Sequence, residues 1–331
     1  MQNDLRIRYA FKKILTGSDL SRRRLPFMSA EATAEGPTLW LTACSHGDEA
    51  GGIVIIQEIF KKIKREHILK KGSIYAFPLM NPIGFETGSR HIPFSKEDLN
   101  RSFPGNPKGS LGERIAHIIF TAVMEKKPTF LIDLHNDWIS SIPYALIEPK
   151  PDDNQEELSS KQYCRAEEKS DRFAFITGLP VVRDSDVIPG SLAFSLMQNG
   201  VPSLTLEMGE SYVINEINIA LGVQSILNVM ATLDMIGQEH VKSLHLPIPG
   251  RIRNTVLEYS AKPFSSTSGI IRFMVQPGNI INKNQPIAKI FNTFGKHQET
   301  LKSVHDGFVL GLSESATAFP GMPVMAIGVC G

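Results

Sequence analysis

The feature that most constrains the fold of this chain is a change of texture near residue 247. From residue 38 to about residue 240, short apolar runs alternate with longer stretches of helical periodicity. The rest, roughly 85 residues, carries only short strand-like runs divided by turns. Strands that are apolar on both faces need cover on both faces, so the first pattern calls for a sheet packed between helices. The second pattern has no helices to offer as cover and must close its strands on one another. We therefore expect two units, residues 1–246 as an α/β domain with a mixed sheet and residues 247–331 as a small all-β domain.

The expected strands of the first unit are 38–44 (TLWLTAC), 73–79, 129–134, 144–148 and 202–207. Between them, residues 50–64 place Ile53, Ile56, Phe60 and Ile63 on one helical face. Ser110 and Glu113 are spaced as a capping box ahead of a helix that ends before Pro128. Further helices are expected from Ser191 to a Gly200 cap, and from about Val213 to Leu233. Residues 81–110 are rich in Gly, Pro, Asn and Ser. A structureless stretch of that length is uncommon inside a compact domain unless it is functional, so it is expected to wrap over a site. In the second unit, Pro-Gly turns precede Pro-aliphatic strands twice (VQPGNIINKNQPIAKI and AFPGMPVMAI). That arrangement resembles the barrel-sandwich of biotinyl and lipoyl carrier domains. Lys296 falls near the position of the carrier lysine, but the flanking residues of a biotin or lipoyl site are absent, and the module is expected to be unmodified.

Charge excludes some partners. With 35 basic and 34 acidic residues the chain is nearly neutral, which gives no electrostatic case for nucleic acid or an acidic membrane surface. The run Arg22, Arg23, Arg24 reads as a solvated loop. Cys44, Cys164 and Cys330 are scattered and odd in number, against a disulfide framework. The N-terminus has charges where a signal peptide needs an apolar core, and no long apolar run exists, so a cytoplasmic location is expected. A homo-oligomer is left open.

The chemistry concentrates in a few residues. His46 and Glu49 are three apart, between an apolar run and an amphipathic helix, and His135 ends the run FLIDLHND. Ligands in α/β sheets bind at such strand ends. Two imidazoles and a carboxylate make the mixed N and O set of an open zinc site, with one Zn2+ per chain and a fourth position left for water.

The motifs HGDE (46–49), NPxGFxxGxR (81–90), DLNRSFPG (98–105), DLHN (133–136) and LEMG (206–209) occur in that order. Together they resemble the succinylglutamate desuccinylase/aspartoacylase family, amidohydrolases related to the zinc carboxypeptidases. The resemblance implies a three-layer α/β/α catalytic domain followed by the β module, with zinc on His46, Glu49 and His135. It implies Glu207 as the catalytic carboxylate, with Glu210 as its rival, Arg90 as the electrophilic arginine, and Asn100 and Arg101 gripping a substrate carboxylate. Asp98 is expected to brace its loop, Asp133 and Asn136 to orient the ligands, and Tyr212 to contact substrate. The implied activity is deacylation of a small N-acyl amino acid or related amine. A zinc carboxypeptidase and a non-enzymatic carrier or binding protein are the alternatives.

Overall fold

The computed structural model describes residues 5–16, 22–150, 160–244, 246, 248, 250–313 and 315–330. An N-terminal hairpin of β1 (Arg6–Thr16) and β2 (Arg22–Glu31) precedes the alternating α/β part. That part comprises β3 (Ala34–Ala43), α1 (Gly51–Glu66), β4 (Lys71–Phe77), α2 (Pro82–Thr87), α3 (Leu111–Glu125), β5 (Phe130–His135), β6 (Ser140–Ser141) and β7 (Pro143–Ile147). It continues with α4 (Lys161–Ile176), β8 (Val181–Arg183), α5 (Leu192–Gln198), β9 (Ser203–Met208) and α6 (Glu216–Thr232). After α7 (Gly250–Arg253), strands alone follow: β10 (Val256–Ser260), β11 (Gly269–Phe273), β12 (Ile280–Ile281), β13 (Pro286–Phe291), β14 (His297–Lys302), β15 (Gly307–Leu312), β16 (Thr317–Ala318) and β17 (Met325–Val329).

The main sheet is mixed and runs β1-β2-β4-β3-β5-β9-β7-β8-β10-β17-β15-β12, with β6 added on β15. Its centre, β4, β3, β5 and β9, is parallel, and β5 is buried along its whole length. Burial on both faces follows from the cover. On one face Ile55, Ile59 and Ile63 of α1 and Ile226 and Met230 of α6 pack with Phe173 of α4 against Leu41, Ile132 and Leu204. On the other, Ile115 and Ile119 of α3 and Leu192 and Leu196 of α5 pack on Trp40, Phe77 and Leu131. Ser110 caps α3 through the expected reciprocal bonds with Glu113.

Two elements depart from the sequence reading. The Arg22–Arg24 run is not a loop but the start of β2, where Arg23 lies over the ring of Phe94 and Arg24 over that of Phe11. Long guanidinium side chains cover exposed rings there, which a count of charges does not reveal. Helix α4 was not expected from the sequence, because it is polar on average. Its inner face carries Glu167 and Ser170 beside Tyr163, Ala166 and Phe173, and Glu167 is paired with buried Arg183 at 3.1 Å.

The C-terminal strands β11, β13, β14 and β16 form a separate four-stranded sheet, packed through Ile271, Ile287, Ile290 and Leu301 on Val309 and Ile327. The main sheet nonetheless continues through the C-terminal part, because β10 pairs with β8 on one side and β17 on the other. The expected boundary falls where Pro247 lies outside the described residues. Lys296 is exposed beyond the end of β13, in the turn to β14. The second contact between the two parts is more specific. The segment after His135 is clamped by β15: Ser141 pairs with Gly311, and Ile142 N–H donates to the Leu310 carbonyl. A Cβ on Gly311 would lie 2.7 Å from Trp138 Cδ1, so that indole has room only over a glycine.

This packing predicts that Gly311→Val will destabilise the fold by about 1–3 kcal/mol through overpacking. Gly250→Ala should be near neutral, since nothing lies within 4 Å of a Cβ there. Urea denaturation midpoints of the two variants would check the contrast. Equal midpoints would remove the clamp from the account of this fold.

Candidate metal and active site

Strand β3 ends at Ala43, Cys44 turns with a φ of 55°, and His46 and Glu49 occupy the connection to α1. Glu49 lies just ahead of the helix rather than in its first turn. The chain can take this path because position 47 is glycine: a Cβ there would sit 1.9 Å from the backbone of Gly84 in α2. Gly47 N–H also donates to the Ser89 carbonyl, which ties the ligand loop to the segment bearing Arg90. His135 is the last residue of β5, two positions after Asp133 and on the same face of the strand.

The three candidate ligands converge. Their ligand atoms lie within 4.8 Å of one another, and all three residues are buried. His46 Nδ1 is 2.6 Å from Glu49 Oε1, and His135 Nδ1 is 2.9 Å from Glu49 Oε2. The outer nitrogens face carboxylates too, His46 Nε2 at 3.1 Å from Asp98 and His135 Nε2 at 3.0 Å from Asp133. Asp133 is itself fixed by the Thr42 hydroxyl, which donates to it at 2.6 Å. A neutral imidazole has one N–H to give. If each ring spends it on its outer carboxylate, two nitrogen lone pairs are left aimed at the Glu49 oxygens, a repulsive arrangement that a cation among them reverses. Two histidines, one carboxylate and an outer carboxylate behind each ring form a donor set that fits a divalent metal ion.

The protonation equilibria follow from the same contacts. Burial works against the His46 imidazolium, but Glu49 and Asp98 outweigh it and raise its pKa. His135 is raised further, since burial is opposed there by both Asp133 and Glu49. Burial alone would raise Glu49; the two imidazoles overcome it and hold the carboxyl well below its usual range.

A cavity of about 110 Å³ opens beside this cluster and is lined by His46, Glu49, His135, Arg90, Arg101 and Glu207 among others. Glu207 arrives on β9, in register with His135 on the neighbouring strand. Its Oε2 is buried without a hydrogen-bond partner among the described residues. Burial and the negative charge of Asp137 push this carboxyl well above its ordinary value, against the opposing pull of His135. Glu210 is placed differently, with Oε2 accepting from Asn218 Nδ2 at 2.9 Å, and it is not among the cavity residues.

The segment 81–110 supplies the rest of the rim. Arg90 Nη1 is 3.5 Å from Glu49 and its Nη2 3.5 Å from Asp98. Asn100 lines the cavity while its Oδ1 accepts from Leu192 N–H at the start of α5. Arg101 is exposed and donates to the Asn100 carbonyl. Asn136 N–H donates to Glu49 Oε2, and its Nδ2 to the Met208 and Glu210 carbonyls, so it joins the two loops across the site. Tyr212 is brought near the ligand loop by its N–H, which donates to the Asp48 carbonyl, yet it is 63% exposed and outside the cavity lining.

Sequence reasoning missed three carboxylates that line the cavity, Asp137, Glu148 and Asp184, and underrated Asp98. Asp98 does brace its loop, accepting from Asn100 N–H, but it also backs His46. The signal for Asp137 was adjacency to DLHN. Glu148 and Asp184 carried only their position just past the ends of β7 and β8.

Comparison with known proteins shows what this chain is similar to. The chain is 27% identical over 262 residues, 78% of its length and 71% of the relative's, to the N-alpha-acetyl-L-2,4-diaminobutyric acid deacetylase of Halomonas elongata. In structure it is similar to the ectoine utilization protein EutE (DoeB) of Ruegeria pomeroyi, with a TM-score of 0.81 at 20% identity, covering 98% of this chain and 95% of that one. It is also similar to a succinylglutamate desuccinylase/aspartoacylase of Rhodobacter sphaeroides, with a TM-score of 0.78 at 18% identity, covering 97% and 95%. Residues 35–233, more than half of the chain, match the succinylglutamate desuccinylase/aspartoacylase catalytic domain, and the protein belongs to that family.

Proposed function

We propose that this protein is a zinc-dependent deacylase that hydrolyses the amide bond of small N-acyl amino acids. The observation that carries the reading is the unpartnered Oε2 of Glu207, one strand away from His135 and in the same cavity as the His46, Glu49 and His135 cluster. A buried carboxyl with no partner is costly to keep unless something that comes and goes occupies it. Membership of the family and the deacetylase relative support an amidohydrolase, and a cavity of about 110 Å³ suits a small substrate better than a peptide chain.

His46, Glu49 and His135 would hold the ion, which when bound supplies Lewis-acid polarisation of the amide carbonyl and lowers the pKa of water to about 7. Glu207 Oε2 takes a proton from the attacking water and returns it to the departing amine nitrogen, work suited to a carboxyl already raised in pKa. Arg90 lies beside the cluster, with Nη1 3.5 Å from Glu49 and Nη2 3.5 Å from Asp98, and its guanidinium would stabilise the oxygen that becomes negative as the carbonyl is attacked. Arg101, with Asn100 beside it, presents a planar fork to the substrate carboxylate. The expected partner is therefore a small molecule bearing a carboxylate.

Glu207→Gln should keep its metal content and fold and lose about 10³-fold or more in kcat, as expected when a proton shuttle is removed. Glu210→Gln should retain most turnover and lose about 1 kcal/mol of stability with its bond to Asn218. Release of amine from an N-acetyl amino acid and the denaturation midpoint together test both, and a reversed order would place the proton shuttle on Glu210.

For the metal, His135→Ala is expected to abolish stoichiometric zinc. Asp133→Asn, which acts on His135 from outside, should weaken zinc affinity by about 10–100-fold. Elemental analysis after dialysis against a graded chelator reads both, and full occupancy in His135→Ala would overturn the ligand assignment.

For the substrate grip, Arg101→Lys should act mainly on KM and Arg90→Lys mainly on kcat. Equal hydrolysis of a substrate and of its carboxamide would sink the carboxylate contact.

A further inference from the structure

Glu207 stands in a row of side chains that crosses three strands. His135 is in register with it on β5 and Tyr144 is directly opposite it on β7, so the three project from one face of the sheet. A tyrosine has one O–H to donate. Tyr144 is buried beside Glu207, yet its hydroxyl donates to Asp137 Oδ2 at 2.6 Å, and Glu207 Oε2 is left without a partner among the described residues. Asp137 lines the same cavity as Glu207. Its main chain is fixed on both sides: the N–H donates at 3.0 Å to the carbonyl of Gly209, two residues past Glu207, and the Ser141 hydroxyl donates to the Asp137 carbonyl. Three different elements thus set the position of this one carboxylate.

From this geometry we infer that Asp137 is a further catalytic residue, whose carboxylate receives the departing amine nitrogen as an ammonium while Glu207 delivers the proton to it. The inference rests on the deacylase reading and adds to it the group that takes the leaving amine.

The chemistry calls for such a group. When the amide is hydrolysed the C–N bond breaks and its electron pair stays on nitrogen. One proton of the water reaches that nitrogen through Glu207, the other follows from the new carboxyl group, and the products are a carboxylate and an ammonium ion. The nitrogen enters as a neutral amide N–H and leaves with a full positive charge and three N–H donors. Glu207, once it has given up its proton, can accept one of them. Asp137 is placed to accept a second, because Tyr144 brings it alongside Glu207. The other carboxylates of the lining are placed otherwise: Glu49 is enclosed by the two imidazoles, and Glu148 lies four residues past Tyr144, level with Asp184. The charge of Asp137 also acts on Glu207 ahead of any other. Repulsion between the two carboxylates is greatest once Glu207 has lost its proton, and a nitrogen that turns positive between them removes it. The arrangement therefore favours the breaking amide over the intact one, which is where a catalytic group has to act.

The test uses the zinc-loaded full chain with N-acetylalanine and its oxygen counterpart, 2-acetoxypropanoate, which differ only in whether nitrogen or oxygen departs. Asp137→Asn keeps an acceptor for Tyr144 and removes the charge. It is expected to lower kcat for the amide by about 100-fold and the ratio of amide to ester turnover by about 30-fold, because the alcohol leaves uncharged. Calorimetric titration with the two products gives a readout apart from turnover: binding of alanine relative to lactate should weaken by about 10-fold, as for one lost charge-assisted hydrogen bond. Tyr144→Phe keeps the carboxylate and loses its orientation, so both ratios should fall by about 3-fold. That variant decides the matter if Asp137→Asn does not fold, and the product titration decides it if wild type cleaves the amide alone. An Asp137 that merely supports the segment after His135 would act on both substrates alike. Equal losses on amide and ester, or an unchanged preference between alanine and lactate, would therefore overturn the inference and leave the deacylase reading standing. Failure of wild type to hydrolyse N-acetylalanine would overturn both.

Discussion

The structure of this site depends on one carboxylate. Glu49 is buried between two imidazoles, and each imidazole is held from behind by a second carboxylate, Asp98 or Asp133. Burying that much charge is unfavourable unless it is compensated. With the outer carboxylates taking the ring N–H groups, the inner nitrogens are left aimed at Glu49, an arrangement that a cation held among the three would compensate. Every surrounding element answers to this requirement. Strand β5 must deliver Asp133 and His135 on one face, Thr42 of β3 must reach Asp133, and the glycine at 47 must let the ligand loop rest on α2 so that the Arg90 and Asp98 segment closes over His46.

The strand ends of the parallel centre explain where the remaining groups stand. β3, β5 and β9 point their C-terminal ends the same way, so His46, His135 and Glu207 arrive together although 161 residues separate the first from the last. The antiparallel β7 and the short β8 extend the sheet beside β9. The C-terminal strands then contribute by position. They prolong the sheet through β10 and press β15 on the segment after His135, so the small β unit supports the loop that carries Asn136 and Asp137. Such support is what keeps a constellation of first contacts within reach of productive geometry.

Much of this was legible in the sequence. The central strands betray themselves as continuous apolar runs, and α1 and α3 as regular stripes, because their burial is uniform. The candidate ligand cluster was legible because ligand chemistry allows few residue types, and those at 46, 49 and 135 stood near strand ends. The β1–β2 hairpin and α4 were not. Arg22 to Arg24 count as hydrophilic although their stems cover rings, and α4 is polar on average and buries Glu167 by pairing it with Arg183, so composition hides both. The difference in setting between Glu207 and Glu210 was hidden for another reason. Three residues apart, both look able to reach the site, and the amides of Asn215 and Asn218, which engage Glu210, separate them.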